Sequence, residues 1–244
     1  MRLSHSVLFH CLWRTLLVGA NFNTRGLQNI GLAYAMDPGL RAIHASSQDL
    51  RDARQRYVLL YNTHPYFTPL LVGAFLFLEK NIAQGMLSST ALDSFRRTAT
   101  YTLSALGDSF FGGSLLVLWS LSMTILLVCG WHAAACIWFA LWFVALQIFK
   151  AVTFWMGVCK GLSFLQKLRQ MDLMGWGHRI KLVNALFVLL IWWLIFPFPL
   201  QPGWFAAGSG LLGLAAWLVQ KGFIRREGIV AAGILAWIVL QPVL

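Results

Sequence analysis

Residues 61–79, YNTHPYFTPLLVGAFLFLE, hold chemically capable side chains at both ends of an apolar run. Asn62, Thr63 and His64 precede Pro65, and the run ends in a carboxylate, Glu79. The amide of Asn62 and the hydroxyl of Thr63 can hydrogen-bond a polar ligand; both are also ordinary helix-end residues that bond local backbone. His64 changes charge near neutral pH, so it can bind a polar ligand; it can equally cap a helix end or bond a backbone carbonyl before Pro65. Glu79 stands beside Lys80, either as a functional acid at membrane depth or as the mark of a water boundary. Asp108, after Gly107, is the last candidate, and its simplest role is the N-cap of the apolar helix that follows.

No enzyme site assembles from the remaining residues. His64 and Asp108 are the one candidate acid/base pair, and neither a nucleophile elbow nor a phosphate-cradling glycine loop accompanies them. The four cysteines lie far apart without a CxxC, and their spacing to the six histidines fits no metal site. They read as small apolar fillers, with no metal and no cofactor expected.

The chain of 244 residues has a mean hydropathy of +0.69, and 11% of its residues are charged, against roughly 25% in soluble proteins. Its formal charge of +11 comes from basic residues that flank apolar runs, a positive-inside pattern rather than a nucleic-acid footprint. A spanning helix needs roughly 20 apolar residues, so the shorter run before Glu79 reads as a re-entrant hairpin over residues 62–80, shielded from lipid by other helices.

The N-terminus reads as an interfacial amphipathic helix rather than a signal peptide, because Arg14 interrupts its apolar stretch. Asn23 and Thr24 are expected to cap a helix that Pro38 and Gly39 break. Ser46-x-x-Asp49 is a capping box, and the helix it opens carries Arg51, Arg54 and Arg56 on its polar side and ends near Tyr61, ahead of Pro65. Thr90-x-x-Asp93 is a second box-like start. Residues 109–149 hold no Asp, Glu, Lys or Arg, which predicts spans over 114–131 and from His132 to about Cys159. A basic loop follows at 160–181, able to enforce topology, touch anionic lipid or dock an acidic subunit. Two spans joined by a turn at 197–203 and a last span from Gly228 complete the count. The expected fold is an all-α polytopic membrane protein: cytoplasmic amphipathic helices plus a re-entrant hairpin in 1–113, then about five transmembrane helices in 114–244. The basic loops place the N-terminal half in the cytoplasm and the C-terminus outside.

Asn21 to Pro38 (NFNTRGLQNIGLAYAMDP), YNTHPYF at 61–67, the run ending at Glu79 and GDSFF at 107–111 resemble, in order and spacing, the IID membrane component of the mannose/fructose/sorbose phosphotransferase systems. Lys150 to Gly177 and the final KGFIRREGIVAAGILAWIV are similar to that family's cytoplasmic loop and last span, so the resemblance covers most of the chain. It implies a subunit of the bacterial inner membrane that pairs with a IIC subunit, in a higher oligomer, to move a hexose or amino sugar. Soluble IIA and IIB subunits supply the phosphate, and no phosphorylated residue is implied in this chain. It also implies a substrate path near Asn62, Thr63, His64, Glu79 and Asp108, with Arg25, Gln28 and Tyr34 at the partner interface; for Arg25 and Gln28, a solvated face or the hairpin is the other reading.

Two departures define the alternative. Residues 98–105, TATYTLSA, lack the glycine-rich stretch usual before Gly-Asp, and Gly112 stands where a tryptophan is usual. A IID-like regulatory or scaffold protein that lost transport would tolerate both.

Overall fold

The computed structural model describes residues 3–196 and 201–240, and the expected turn at 197–203 lies partly outside them. All regular elements among these residues are helical, with two isolated backbone bridges, Asn23–Leu27 and Leu27–Tyr61. The chain divides into two compact units, Met1–Ile191 and Trp192–Leu244.

In the first unit, α1 (His5–Thr15) starts at Ser4, whose hydroxyl accepts from Val7 N at 3.3 Å, and buries Leu8, Cys11 and Thr15. Burial pushes the Cys11 thiol up to about 11, which keeps it an inert filler. The other three cysteines are exposed.

Pro38 does not end the next helix. α2 runs from Asn29 to Ile43 straight through Pro38 and Gly39. Proline lacks the N–H that would reach the carbonyl four residues back, here Tyr34. Arg14 of α1 replaces that donor, with Nη1 at 3.1 Å from Tyr34 O and the guanidinium 4.1 Å over the Tyr34 ring.

α3 (Ser47–Tyr57) opens as expected on Ser46, which accepts from Gln48 N and Asp49 N. It stops at Tyr57 rather than near Tyr61, because the following residues are drawn out to pair with the start of α2 and the loop before it. Asn29 Nδ2 donates to Val58 O at 2.6 Å, and Tyr61 N donates to Gly26 O at 3.2 Å. Of its arginines, Arg54 meets Asp37 at 2.6 Å, whereas Arg56 turns inward and does not join a solvated face.

α4 (Thr68–Ala83) is buried along nearly its whole length. Its 16 residues make it about 24 Å long, short of a ~30 Å hydrocarbon core. It packs on α7 (His132–Lys160) through two glycines: a Cβ on Gly73 would overlap the Phe154 carbonyl, and one on Gly157 the Leu70 carbonyl. Such small-residue contacts let helix backbones approach closely where lipid supplies no hydrophobic drive.

Gly85 (φ 71°) reverses the chain, which makes Ser88, not Thr90, the cap of α5 (Ser89–Gly107). The helix does not restart at Asp108. Gly107 and Asp108 both have right-handed helical backbone, and a π-helical stretch, Asp108–Leu115, joins α5 to α6 (Leu116–Val128) in one 40-residue helix. Two side chains support the widened turn: Ser114 Oγ donates to Ser109 O at 3.0 Å, and Asn184 Nδ2 donates to Ser114 O at 3.0 Å.

Residues 160–181 are helical rather than an open loop. α8 (Leu162–Gln170) follows Gly161, and α9 (Leu173–Leu194) begins after Asp172, whose carboxylate accepts from Gly175 N at 3.1 Å. The second unit contains α10 (Pro202–Gln220) and α11 (Arg226–Leu240). Ser89–Val128, α7, α9 and α10 are long and apolar enough to cross a membrane. The expected last span coincides with the 15-residue α11, and residues 241–244 lie outside the described residues.

Candidate functional site

The loop between α3 and α4 is shaped by the loop before α2. Asn23 closes a tight turn, its Oδ1 accepting from Arg25 N (3.1 Å) and Gly26 N (2.7 Å) and its Nδ2 donating to Leu27 O and Asn29 Oδ1. Leu27, held at φ 59°, is the point where this turn meets Tyr61. Gln28 then bonds the second loop twice: its backbone N–H donates to Tyr61 O at 2.9 Å, and its Oε1 accepts from Thr63 N at 3.2 Å. The two sequence blocks NFNTRGLQN and YNTH are therefore hydrogen-bonding partners. Gln28 serves the loop, Arg25 is exposed, and Tyr34 is partly exposed beneath Arg14.

Thr63 is buried, its hydroxyl 3.4 Å from Thr100 O. Asn62 is half-buried at the edge of a cavity of about 400 Å³ beside α5. His64 is half-buried, stacked on Phe111 (5.4 Å between centroids, 15° between planes) and against Tyr66 at 5.2 Å. Its Nδ1 lies 3.4 Å from Tyr66 N, which assigns the proton to Nε2. Burial lowers the His64 pKa, with a smaller opposing pull from Asp108, so the ring is neutral at pH 7. Gly107 is where α5 presses on this histidine, since a Cβ there would overlap the Cβ and Cγ of His64. Glycine at 107 thus has a steric cause, and Asp108 is the exposed first residue of the π-helical stretch. Lys150 reaches the same neighbourhood, with Nζ 5.0 Å over the Tyr66 ring.

Glu79 stands apart, eleven residues along α4 from Thr68, or about 16 Å. Its carboxylate is fully buried. Oε1 accepts from Arg56 Nε (3.0 Å) and Tyr57 OH (2.9 Å), and Oε2 from Arg56 Nη2 (2.7 Å) and His44 Nε2 (3.0 Å). Burial and then the Glu79 charge push the Tyr57 phenol well above its usual range, which keeps it a donor. Sequence reasoning missed Arg56, Tyr57 and His44. The available signal was that a lone acid inside an apolar run demands a buried cation. Among the described residues, no group of three His, Cys, Asp or Glu side chains could hold a metal ion.

Helices throughout the described residues, four of them fit to span a bilayer, define a polytopic α-helical membrane protein. Residues 2–188 match the mannose/fructose/sorbose family IID component of the phosphotransferase system, and the chain belongs to that family. It is 24% identical over 115 residues to the fructose permease IID component of Bacillus subtilis, which is 47% of this chain and 42% of the relative. The mannose-specific EIID component of Escherichia coli K12 is likewise 24% identical over 115 residues, covering 46% and 41%. The chain thus aligns with less than half the length of these curated relatives, which are transport subunits. Among solved structures, one described as a membrane protein has a TM-score of 0.76 at 17% identity, with 99% and 98% of the two chains covered. A chain of the cryo-EM complex of the mannose transporter ManYZ with microcin E492 has a TM-score of 0.58 at 15% identity, with 99% and 97% covered. Both likenesses show the fold.

Proposed function

We propose that this chain is the IID half of a bacterial inner-membrane sugar permease. It works with a IIC subunit, in a higher oligomer of such pairs, while soluble IIA and IIB subunits phosphorylate the incoming hexose or amino sugar. The N-terminal half faces the cytoplasm, the C-terminus lies outside, and the chain itself carries no phosphoryl group. One observation carries this reading: the loop bearing Asn62, Thr63 and His64 is fastened by residues 23–28 and seated on Gly107, beside a π-helical turn. π-turns inside helices occur frequently at functional sites.

In this reading Asn62 and His64 touch the sugar path, Thr63 holds the loop to α5, and Asp108 marks the mouth of the path. Glu79 locks α2, α3 and α4 together. The test is sugar uptake into vesicles that hold this chain with its IIC subunit and are supplied with IIA and IIB. Uptake that requires this chain supports the proposal. Uptake that proceeds equally without it, or a folded complex with no uptake, supports a scaffold or regulatory role instead.

A further inference from the structure

The 400 Å³ cavity beside Asn62 has a wall that the transport reading does not use. Asp93, Arg96, Arg97, Thr100 and Tyr101 line it from α5, recurring at the spacing of one helix face, and Asn62 lines it from the loop. Arg96 is only 4% exposed, yet its guanidinium is poorly partnered. Nη1 donates to Leu60 O at 3.3 Å, while Nε has no hydrogen-bond acceptor and sits 4.0 Å from Asp93 Oδ1. Thr100 is 5% exposed and its hydroxyl is also unbonded, as is Asp93 Oδ1.

A buried guanidinium has five N–H donors and is costly to leave unpaired. Asp93 offsets one of the two arginine charges, so the wall keeps a net charge of +1. The donor-bearing side chains on the lining are Arg96, Arg97 and Thr100 from one face of α5 and Asn62 from the loop. That arrangement suits a tetrahedral phosphate, as a monoester or a diester, better than a planar carboxylate. Leu60 and Tyr101, about half exposed at 52% and 61%, offer an apolar lip for the organic body attached to it.

We propose that this cavity binds a phosphate group, carried by a small soluble phosphomonoester or by the headgroup of an anionic lipid. The site shares Asn62 with the proposed sugar path, but its arginines take no part in that reading, and binding can be tested on the full chain alone. Purified protein in phosphatidylcholine nanodiscs is titrated with glycerol 3-phosphate by calorimetry, with glycerol as the neutral control. In parallel, its melting temperature is followed as phosphatidylglycerol replaces phosphatidylcholine. Saturable binding of glycerol 3-phosphate identifies a soluble ligand, and saturable stabilisation by phosphatidylglycerol alone identifies a lipid. In either case Arg97→Ala, at an exposed position, weakens binding about tenfold, the scale of one charge-assisted hydrogen bond. Arg96→Lys, which keeps the charge and loses the fork, weakens it similarly, and Asp93→Asn tightens it by removing the repelling charge. No saturable binding in either arm, equal binding of glycerol, or affinity unchanged in Arg97→Ala and Arg96→Lys overturns the proposal.

Discussion

Arg56 grips Glu79 through two parallel hydrogen bonds, Nε to Oε1 at 3.0 Å and Nη2 to Oε2 at 2.7 Å, around a carboxylate with no solvent exposure. With Tyr57 and His44 completing the set, every lone pair that matters is engaged, and three helices meet at one residue. Removing one member of such a pair strands a buried charge, which costs about 3–5 kcal/mol. Glu79→Ala should therefore lower the thermal midpoint of the purified protein sharply. Arg56→Met paired with Glu79→Leu should recover only part of the loss, since it removes both charges but leaves the buried Tyr57 hydroxyl and His44 Nε2 without their acceptor.

The Arg14–Tyr34 contact yields a second, reciprocal prediction. Arg14→Ala leaves the Tyr34 carbonyl without a donor and removes the cation over the ring, a loss of about 1–3 kcal/mol. Pro38→Ala restores the N–H that α2 lacks. In a double-mutant cycle read by thermal or denaturant unfolding, Arg14→Ala should therefore cost less in the Pro38→Ala background than in the native one.

Both cases show how far the sequence was legible. Apolar runs and charge gaps identified the long helices, and Ser46 announced α3. The blocks around Asn23 and Asn62 were visible as words, though not as each other's partners. Pro38 misled because its remedy comes from a guanidinium 24 positions earlier, beyond any local pattern. Asp108 misled because an acid after glycine ahead of an apolar run has the form of an N-cap. The backbone instead stays helical and widens, helped by Asn184 from α9. Glu79's partners come from α3 and from the residue after α2, and no spacing rule links the two.

Gly107 and Gly112 should respond oppositely to the same change. A methyl at 107 meets the Cβ and Cγ of His64, whereas one at 112 meets nothing within 4 Å. Gly107→Ala should displace the His64 loop and cost about 1–3 kcal/mol with loss of uptake. Gly112→Ala should leave stability and uptake close to native, as thermal unfolding and vesicle transport would report.

His64 makes stability depend on pH in one direction. Burial lowers its pKa in the folded state below the ordinary 6.5, so the unfolded chain binds more protons between the two values. Its contribution is constant above about pH 7 and declines as pH falls through 6.5 towards the folded value. His64→Gln should flatten that part of the stability curve. Unfolding midpoints measured between pH 5 and 8, on the native protein and on this variant, check the sign (a window set by the ordinary histidine range).

The central claim is that the fastened Asn62-Thr63-His64 loop belongs to the sugar path and not merely to the packing. The most direct measurement is sugar uptake by the reconstituted complex carrying Asn62→Ala or His64→Gln, with each variant's thermal midpoint at pH 7.5 taken alongside. The account predicts uptake reduced at least about tenfold, the weight of one lost substrate hydrogen bond, with the midpoint near that of the native protein. Native uptake in both variants would contradict it.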